Sequence, residues 1–183
     1  MKRIGYAIMV LCFGVAMSCS SAKDPVATEE QKKELETLVN NKRFEFRARW
    51  ARPLVTSSLN SVANAGLIQQ GSTINNVDLT GNANFLKMEG DSVSAYFPYY
   101  GERQLGGVYP PTDNAIKFEG IPEDLKVSEN TKGYQIKFNI SNKTETYQII
   151  AQLFPSKKGN ININSTHRQP ITYVGTVSEQ TSE

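Results

Sequence analysis

The sequence is short of the residues that most chemistry needs. It holds two cysteines and one histidine in 183 residues. Cys12 lies inside an N-terminal apolar run and Cys19 just after it. Neither is therefore expected in a disulfide of the folded domain. With one imidazole and no remaining thiol, a zinc site has no basis. Glu119, Glu123 and Asp124 are a loose acidic group without the spacing of a calcium loop. They read as solvated turn carboxylates, and no metal is expected. No phosphate-cradling glycine motif and no dinucleotide fingerprint occur, so no cofactor is expected. A hydrolytic triad would have to use His167, with Ser165 two residues away. Nothing marks a nucleophile elbow or an oxyanion hole beside them. No catalytic residue is assigned, and a hydrolase is the last of the readings carried forward.

An excess of charge is also lacking. The formal net charge is +2, and two of the cations, Lys2 and Arg3, precede the apolar run Ile4–Met17. That run is too short for a membrane span and reads as a secretory leader. Its removal leaves eighteen Lys plus Arg against eighteen Asp plus Glu, a net charge of about zero. The electrostatic footprint of a nucleic-acid binder is absent. The leader ends in Ala16-Met17-Ser18-Cys19, which resembles a lipobox with a small residue before the cysteine. Residues 1–18 are read as a lipoprotein signal peptide. Cys19 is read as the lipidated first residue of the mature chain, and its lipid as the link to a membrane.

Residues 19–27 are small, polar and contain Pro25, as a tether does. Residues 28–41 read as a helix. Thr28 and Gln31 have capping-box spacing, Glu29 and Glu30 suit the first turn, and Leu35, Leu38 and Val39 make an apolar stripe. From 42 to 178 the pattern is β. Phe44, Phe46, Ala48 and Trp50 alternate with Arg43, Glu45, Arg47 and Arg49, which predicts a first strand with a solvated basic face. Leu54 to Gly71 is rich in Ser, Asn, Gln and Ala, and reads either as carrying a short helical turn at Ser61–Ile68 or as one long mobile loop. Strands are expected at 74–79, 84–89, 92–97, 115–119, 124–129, 134–140, 144–154, 160–164 and 171–177. Short turns between them predict antiparallel neighbours. The fold class is mainly β: an antiparallel meander of about nine strands, forming a sandwich or a small barrel, with one N-terminal helix. Residues 179–183 are a polar tail.

The densest apolar stretch is Asp91-Ser-Val-Ser-Ala-Tyr-Phe-Pro-Tyr-Tyr-Gly101. Val93, Ala95 and Phe97 face one way, Ser92, Ser94 and Tyr96 the other, and Pro98 ends the pairing. The core is expected to form here. Tyr109 and Leu105 follow on a Gly- and Pro-rich loop. Tyr96, Tyr99, Tyr100 and Tyr109 make the candidate binding surface, the alternative being that the loop folds back as a lid on the core. Asp91-Ser92-Val93 resembles an O-glycosylation sequon, with Ser92 as the acceptor.

Taken in order, Phe44-Glu-Phe46, Gly90 to Gly101, Ile116-Lys-Phe-Glu-Gly120 and Arg168-Gln-Pro-Ile-Thr-Tyr-Val-Gly175 resemble the Bacteroidota lipoprotein family catalogued as domain of unknown function 4251. The match runs from about Lys42 to Val177, with Tyr100 where Phe is usual. The resemblance implies an envelope lipoprotein with a β fold, and it transfers no catalytic residue. The expectation is a lipid-anchored, non-enzymatic binding or scaffolding domain at the outer membrane, facing the periplasm. Its partner is an envelope protein or small ligand, and not nucleic acid. The alternative is a lipid or small-molecule carrier with a cavity inside the barrel.

Overall fold

A computed structural model of the chain describes residues 27–67, 70–104, 114–143 and 145–180. Helix α1 spans Glu29–Asn40. Its capping box is formed: the Thr28 hydroxyl accepts from the Gln31 N–H, and Gln31 Oε1 accepts from the Thr28 N–H. The stripe Leu35, Leu38 and Val39 is buried against the sheet. No helix among the described residues is long and apolar enough to cross a membrane.

The strands are β1 (Arg43–Pro53), β2 (Val77–Asp78), β3 (Phe85–Glu89), β4 (Ser92–Phe97) and β5 (Ile116–Gly120). They continue with β6 (Glu123–Asn130), β7 (Gly133–Ser141), β8 (Thr146–Leu153), β9 (Lys158–Ser165) and β10 (Ile171–Glu179). A second helix, α2, spans Ser57–Asn64. It starts earlier than the sequence suggests, because Thr56 caps it by accepting from the Leu59 N–H. The extended segment expected at 74–79 shrinks to the two residues of β2.

Nine strands form one antiparallel sheet in the order β5-β4-β3-β1-β10-β9-β8-β7-β6, and β2 adds to β1. The sheet curls into a half-barrel, so the two-sheet sandwich is set aside. Its two edge strands are consecutive in the chain, separated only by Ile121 and Pro122. Alternating antiparallel pairing makes β5 and β6 run the same way. The chain therefore pairs first with β4, kinks at Pro122, and then pairs with β7. Side chains close the same seam. Phe118 of β5 meets Phe138 edge-on at 6.4 Å and Tyr147 at 5.6 Å.

The concave face is filled. Phe44, Phe46, Phe97, Phe138, Tyr147 and Tyr173 are almost wholly buried, and Phe97 stacks on Tyr173 at 4.3 Å. The cavity lined by inward strand residues, which a carrier would need, is occupied by the protein's own rings.

One strand departs from its expected phase. The register of β1 on β10 shifts between Ala48 and Trp50, a β-bulge that inserts Arg49. A one-residue insertion exchanges the faces of everything after it. Ala51 therefore points inward and is fully buried, while Trp50 joins the outer face. Gly175 lies opposite Ala48. A Cβ there would overlap the Arg47 carbonyl oxygen and the Ala48 Cα, so only glycine admits this approach. The basic face is also less solvated than the pattern implies. Glu45 is buried between Arg47 and Lys87, which pair with it.

Candidate functional site

The two ends of the half-barrel differ. At one end α1 packs beside the β6–β7 and β8–β9 turns; Lys32 and Glu36 lie with Thr131, Tyr134 and Pro155. The N-terminus of α1, capped by Thr28, lies at this end. The other end gathers the C-terminus of β1, the N-terminus of β10, the 98–104 segment and α2.

Tyr99 organises this second end. It is 5 % exposed, so it belongs to the interior and does not contribute to an exposed aromatic surface. Its hydroxyl lies 2.9 Å from the Glu102 carbonyl oxygen and 3.0 Å from that of Gln169. Its own carbonyl accepts from Asn114 Nδ2. Burial pushes the phenol up to about 12, although the neighbouring Arg168 charge and the Gln169 hydrogen bond act the other way. Gly101 makes this possible by size, and not only as a flexible exit. A Cβ there would stand 2.5 Å from the Tyr99 hydroxyl. Tyr96 and Tyr100 are half-buried on the outside, with Lys117 Nζ over the Tyr96 ring at 5.0 Å. Tyr109, like Cys19, lies outside the described residues. Ser92 is exposed at the start of β4, its hydroxyl 3.4 Å from the Gly120 carbonyl oxygen at the opposite end of the strand from Tyr99.

Beneath Tyr99 lies a buried charged cluster that the sequence does not announce. Glu145 is 3 % exposed and Arg168 6 %. Arg168 Nε donates to both carboxylate oxygens at 3.1 and 2.9 Å, and Arg103 Nη2 donates to Oε1 at 2.7 Å. Arg168 also donates to the Asn114 carbonyl at 2.7 Å, and its guanidinium lies 5.2 Å from the centre of the Tyr99 ring. Burial alone would push the Glu145 carboxyl up. Hydrogen bonds from Arg168, Tyr147 and Ser165, with the Arg168 charge, outweigh it and hold the carboxyl below the usual range.

His167 and Ser165 are both in this cluster. Their order is not that of a triad. The Ser165 hydroxyl donates a hydrogen bond to Glu145 Oε2 at 3.1 Å and accepts from the His167 backbone N–H. The imidazole meets the same carboxylate, with Nδ1 4.0 Å from Oε1 and no hydrogen-bond partner among the described residues. A serine nucleophile needs the imidazole as the acceptor for its proton; here the Ser165 hydroxyl is turned instead to a carboxylate already bound by two guanidiniums. The geometry suits a brace. Arg103 and Arg168 are β-bridged, and the backbones of Glu102 and Gln104 bond those of Gln169 and His167. Among the described residues no three His, Cys, Asp or Glu side chains group as metal ligands would.

The brace reaches α2 through Glu102, whose carboxylate accepts from the Thr56 hydroxyl at 2.7 Å. Hydrogen bonds from Ser58 and Thr56 hold that carboxyl below the usual range. Helix α2 itself buries no residue. Between it and β1–β2 is an apolar pocket of about 180 Å3. Leu59, Val62 and Leu67 form one wall; Pro53, Val77, Ile74 and Tyr100 form the other. Of its lining, Val62 and Leu67 stay exposed, Leu67 by 73 %. No charged residue occurs between Arg52 and Asp78. The only sequence signal for this pocket is that absence.

The comparisons with known proteins agree with this architecture. The profile described as "Domain of unknown function (DUF4251)" matches residues 27–177. A crystal structure of a DUF4251 family protein from Bacteroides eggerthii is similar at a TM-score of 0.54 and 15 % identity. The similarity covers 82 % of this chain and 88 % of that one. At that identity the likeness shows the fold alone. No curated protein matches the chain. The chain belongs to the DUF4251 family.

Proposed function

We propose that the chain is a lipid-anchored, non-enzymatic binding domain of the cell envelope, which docks a partner protein through the apolar pocket between α2 and β1. The pocket carries this reading. Exposed apolar side chains gathered around a concavity mark interaction sites. Its size decides between partner and cargo. Small-molecule pockets run from about 300 to 1,000 Å3, and this one holds about 180 Å3. It fits one aliphatic or aromatic side chain of a protein, the anchor of a hot spot. The uncharged rim excludes partners that recognise by charge.

The anchor belongs to the same reading. Diacylglycerol on Cys19 holds the domain at the outer membrane, on the periplasmic side. The tether then joins the end carrying α1. The pocket stands at the far end of β1, about 33 Å away at 3.3 Å per residue, and faces away from the lipid. Palmitate labelling in cells is expected to give a labelled chain that Cys19→Ala abolishes, with the protein moving from membranes to the soluble fraction.

Val62→Asp tests the pocket. Val62 is exposed, so the melting temperature should stay within about 2 °C of wild type. Losing one buried anchor of Leu size weakens docking by about 1.5–3 kcal/mol, a tenfold effect or more. Unchanged recovery of every crosslinked partner by Val62→Asp would contradict the proposal.

A further inference from the structure

Helix α2 is complete in itself and barely joined to the body. Thr56 caps its start by accepting from the Leu59 N–H. Gly66, at φ +70°, closes its end in the left-handed conformation. The N–H groups of Asn60, Ala65, Gly66 and Leu67 bond carbonyls of Thr56, Ser61, Ala63 and Val62, so these bonds stay within 56–67. No α2 residue is buried, and only Leu59 and Ala63 are partly so. No residue of 53–77 carries a charge, so no ion pair holds the helix. Among the described residues, the hydrogen bonds that leave 54–67 come from two hydroxyls, those of Thr56 and Ser58. Both go to one acceptor, the Glu102 carboxylate, Thr56 at 2.7 Å.

That carboxylate is placed where the helix needs it. A negative charge at a helix N-terminus is favoured by the macrodipole, and α2 has no acidic residue in its first turn. Glu102 supplies the charge from 46 residues beyond Thr56. Its own position is fixed by the brace. Its carbonyl accepts from the Tyr99 hydroxyl and the Gln169 N–H. Arg103, the next residue, bridges Arg168 and donates to Glu145. A fixed frame therefore offers one carboxylate to a helix that has no other polar tie to it among the described residues.

We infer that α2 is a hinged wall latched by Glu102, and that this latch controls whether the apolar pocket is formed. An isolated helix shorter than about 12–15 residues is marginal in water, and α2 has eight. Unlatched, it carries Leu59, Val62 and Leu67 away from Pro53, Val77, Ile74 and Tyr100, and the pocket loses one wall. A partner that needs both walls binds in proportion to the latched fraction. Glu102 does not line the pocket and touches no anchor placed in it, so it is a positioning residue. The inference rests on the pocket reading for its purpose, while the latch itself is measured with no partner present.

Hydrogen exchange on the purified chain reads the latch. The Asn60, Ala65, Gly66 and Leu67 amides should show protection of about tenfold or less, through an opening that leaves β8 and β9 strongly protected. Glu102→Ala should enlarge that opening about tenfold, with β8 and β9 unchanged and a melting temperature within about 2 °C of wild type. Glu102→Gln keeps an acceptor oxygen without the charge and should fall between the two. In cells, recovery of the crosslinked partner should drop about twofold or more in Glu102→Ala. Protection of α2 equal to that of β8 would overturn the inference. So would a Glu102→Ala chain whose α2 exchange is unchanged, or whose sheet speeds up equally. Faster α2 exchange with full partner recovery would overturn the control of the pocket. Unchanged recovery in Val62→Asp contradicts the pocket and leaves the exchange result standing, so the two readings fail separately.

Discussion

Glu145→Gln is expected to lower the stability of the domain by about 3–5 kcal/mol, the range found when one partner of a buried ion pair is removed. The neutral amide keeps the shape and leaves Arg168 and Arg103 uncompensated around it. In thermal unfolding this corresponds to a fall in Tm of roughly 6–20 °C for a domain of this size. The triple change Glu145→Leu, Arg103→Met, Arg168→Met removes all three charges together and should recover much of the loss. Equal destabilisation by the single and triple variants would mean that the cluster acts through shape and not through charge. Acid should imitate the mutation. The Glu145 carboxyl holds its proton less readily in the folded chain than in the unfolded one. Its contribution is therefore complete above the usual glutamate value of 4.5, and is lost as the pH falls through the lower folded value. Urea midpoints of wild type should drop in that window, and those of Glu145→Gln should be flatter there.

Phe97→Ala should cost about 3–5 kcal/mol. The ring is fully buried, stacked on Tyr173 and tilted against Phe46 at 6.4 Å. It joins β4 to the strands across the concave face, so truncation opens a cavity that no neighbour can fill. Tyr173→Phe keeps the stack and removes only the hydroxyl that donates to the Pro98 carbonyl at 2.8 Å. That variant should lose about 1–2 kcal/mol. A Phe97→Ala chain as stable as Tyr173→Phe would show that the half-barrel does not centre on this stretch.

The sequence carries the local part of this structure and little of the rest. Period-two alternation in Tyr147, Ile149, Ala151 and Leu153 places their side chains correctly, because the pleat alone sets it. The Thr28–Gln31 cap is equally local. Trp50 is misplaced by the same reasoning, since the bulge at Arg49 exists only opposite Gly175, more than a hundred residues away. Tyr99 looks like an exposed loop aromatic until Gln169 and Arg168 arrive from across the fold. Glu145 is one carboxylate in a turn. Arg103 and Arg168, 42 and 23 residues distant, give it its role. The pocket escapes notice because its signal is a lack of charge in 53–77, which reads as a plain loop. The proposed lipid anchor is read from Lys2-Arg3, the apolar run Ile4–Met17 and the lipobox-like Ala16 to Cys19, and the labelling experiment decides it.

The central claim is that the end of the domain far from the tether holds a partner protein by one apolar anchor. Photo-crosslinking in living cells tests it most directly. Benzoylphenylalanine would replace Leu67, at the pocket, and Lys157, at the α1 end. The account predicts a discrete protein adduct from position 67, absent from position 157 and lost when Leu59→Asp is added. The crosslinked peptide should contain an aliphatic or aromatic side chain in an uncharged stretch. An adduct with lipid in place of protein, or the same protein adduct from both positions, would contradict it.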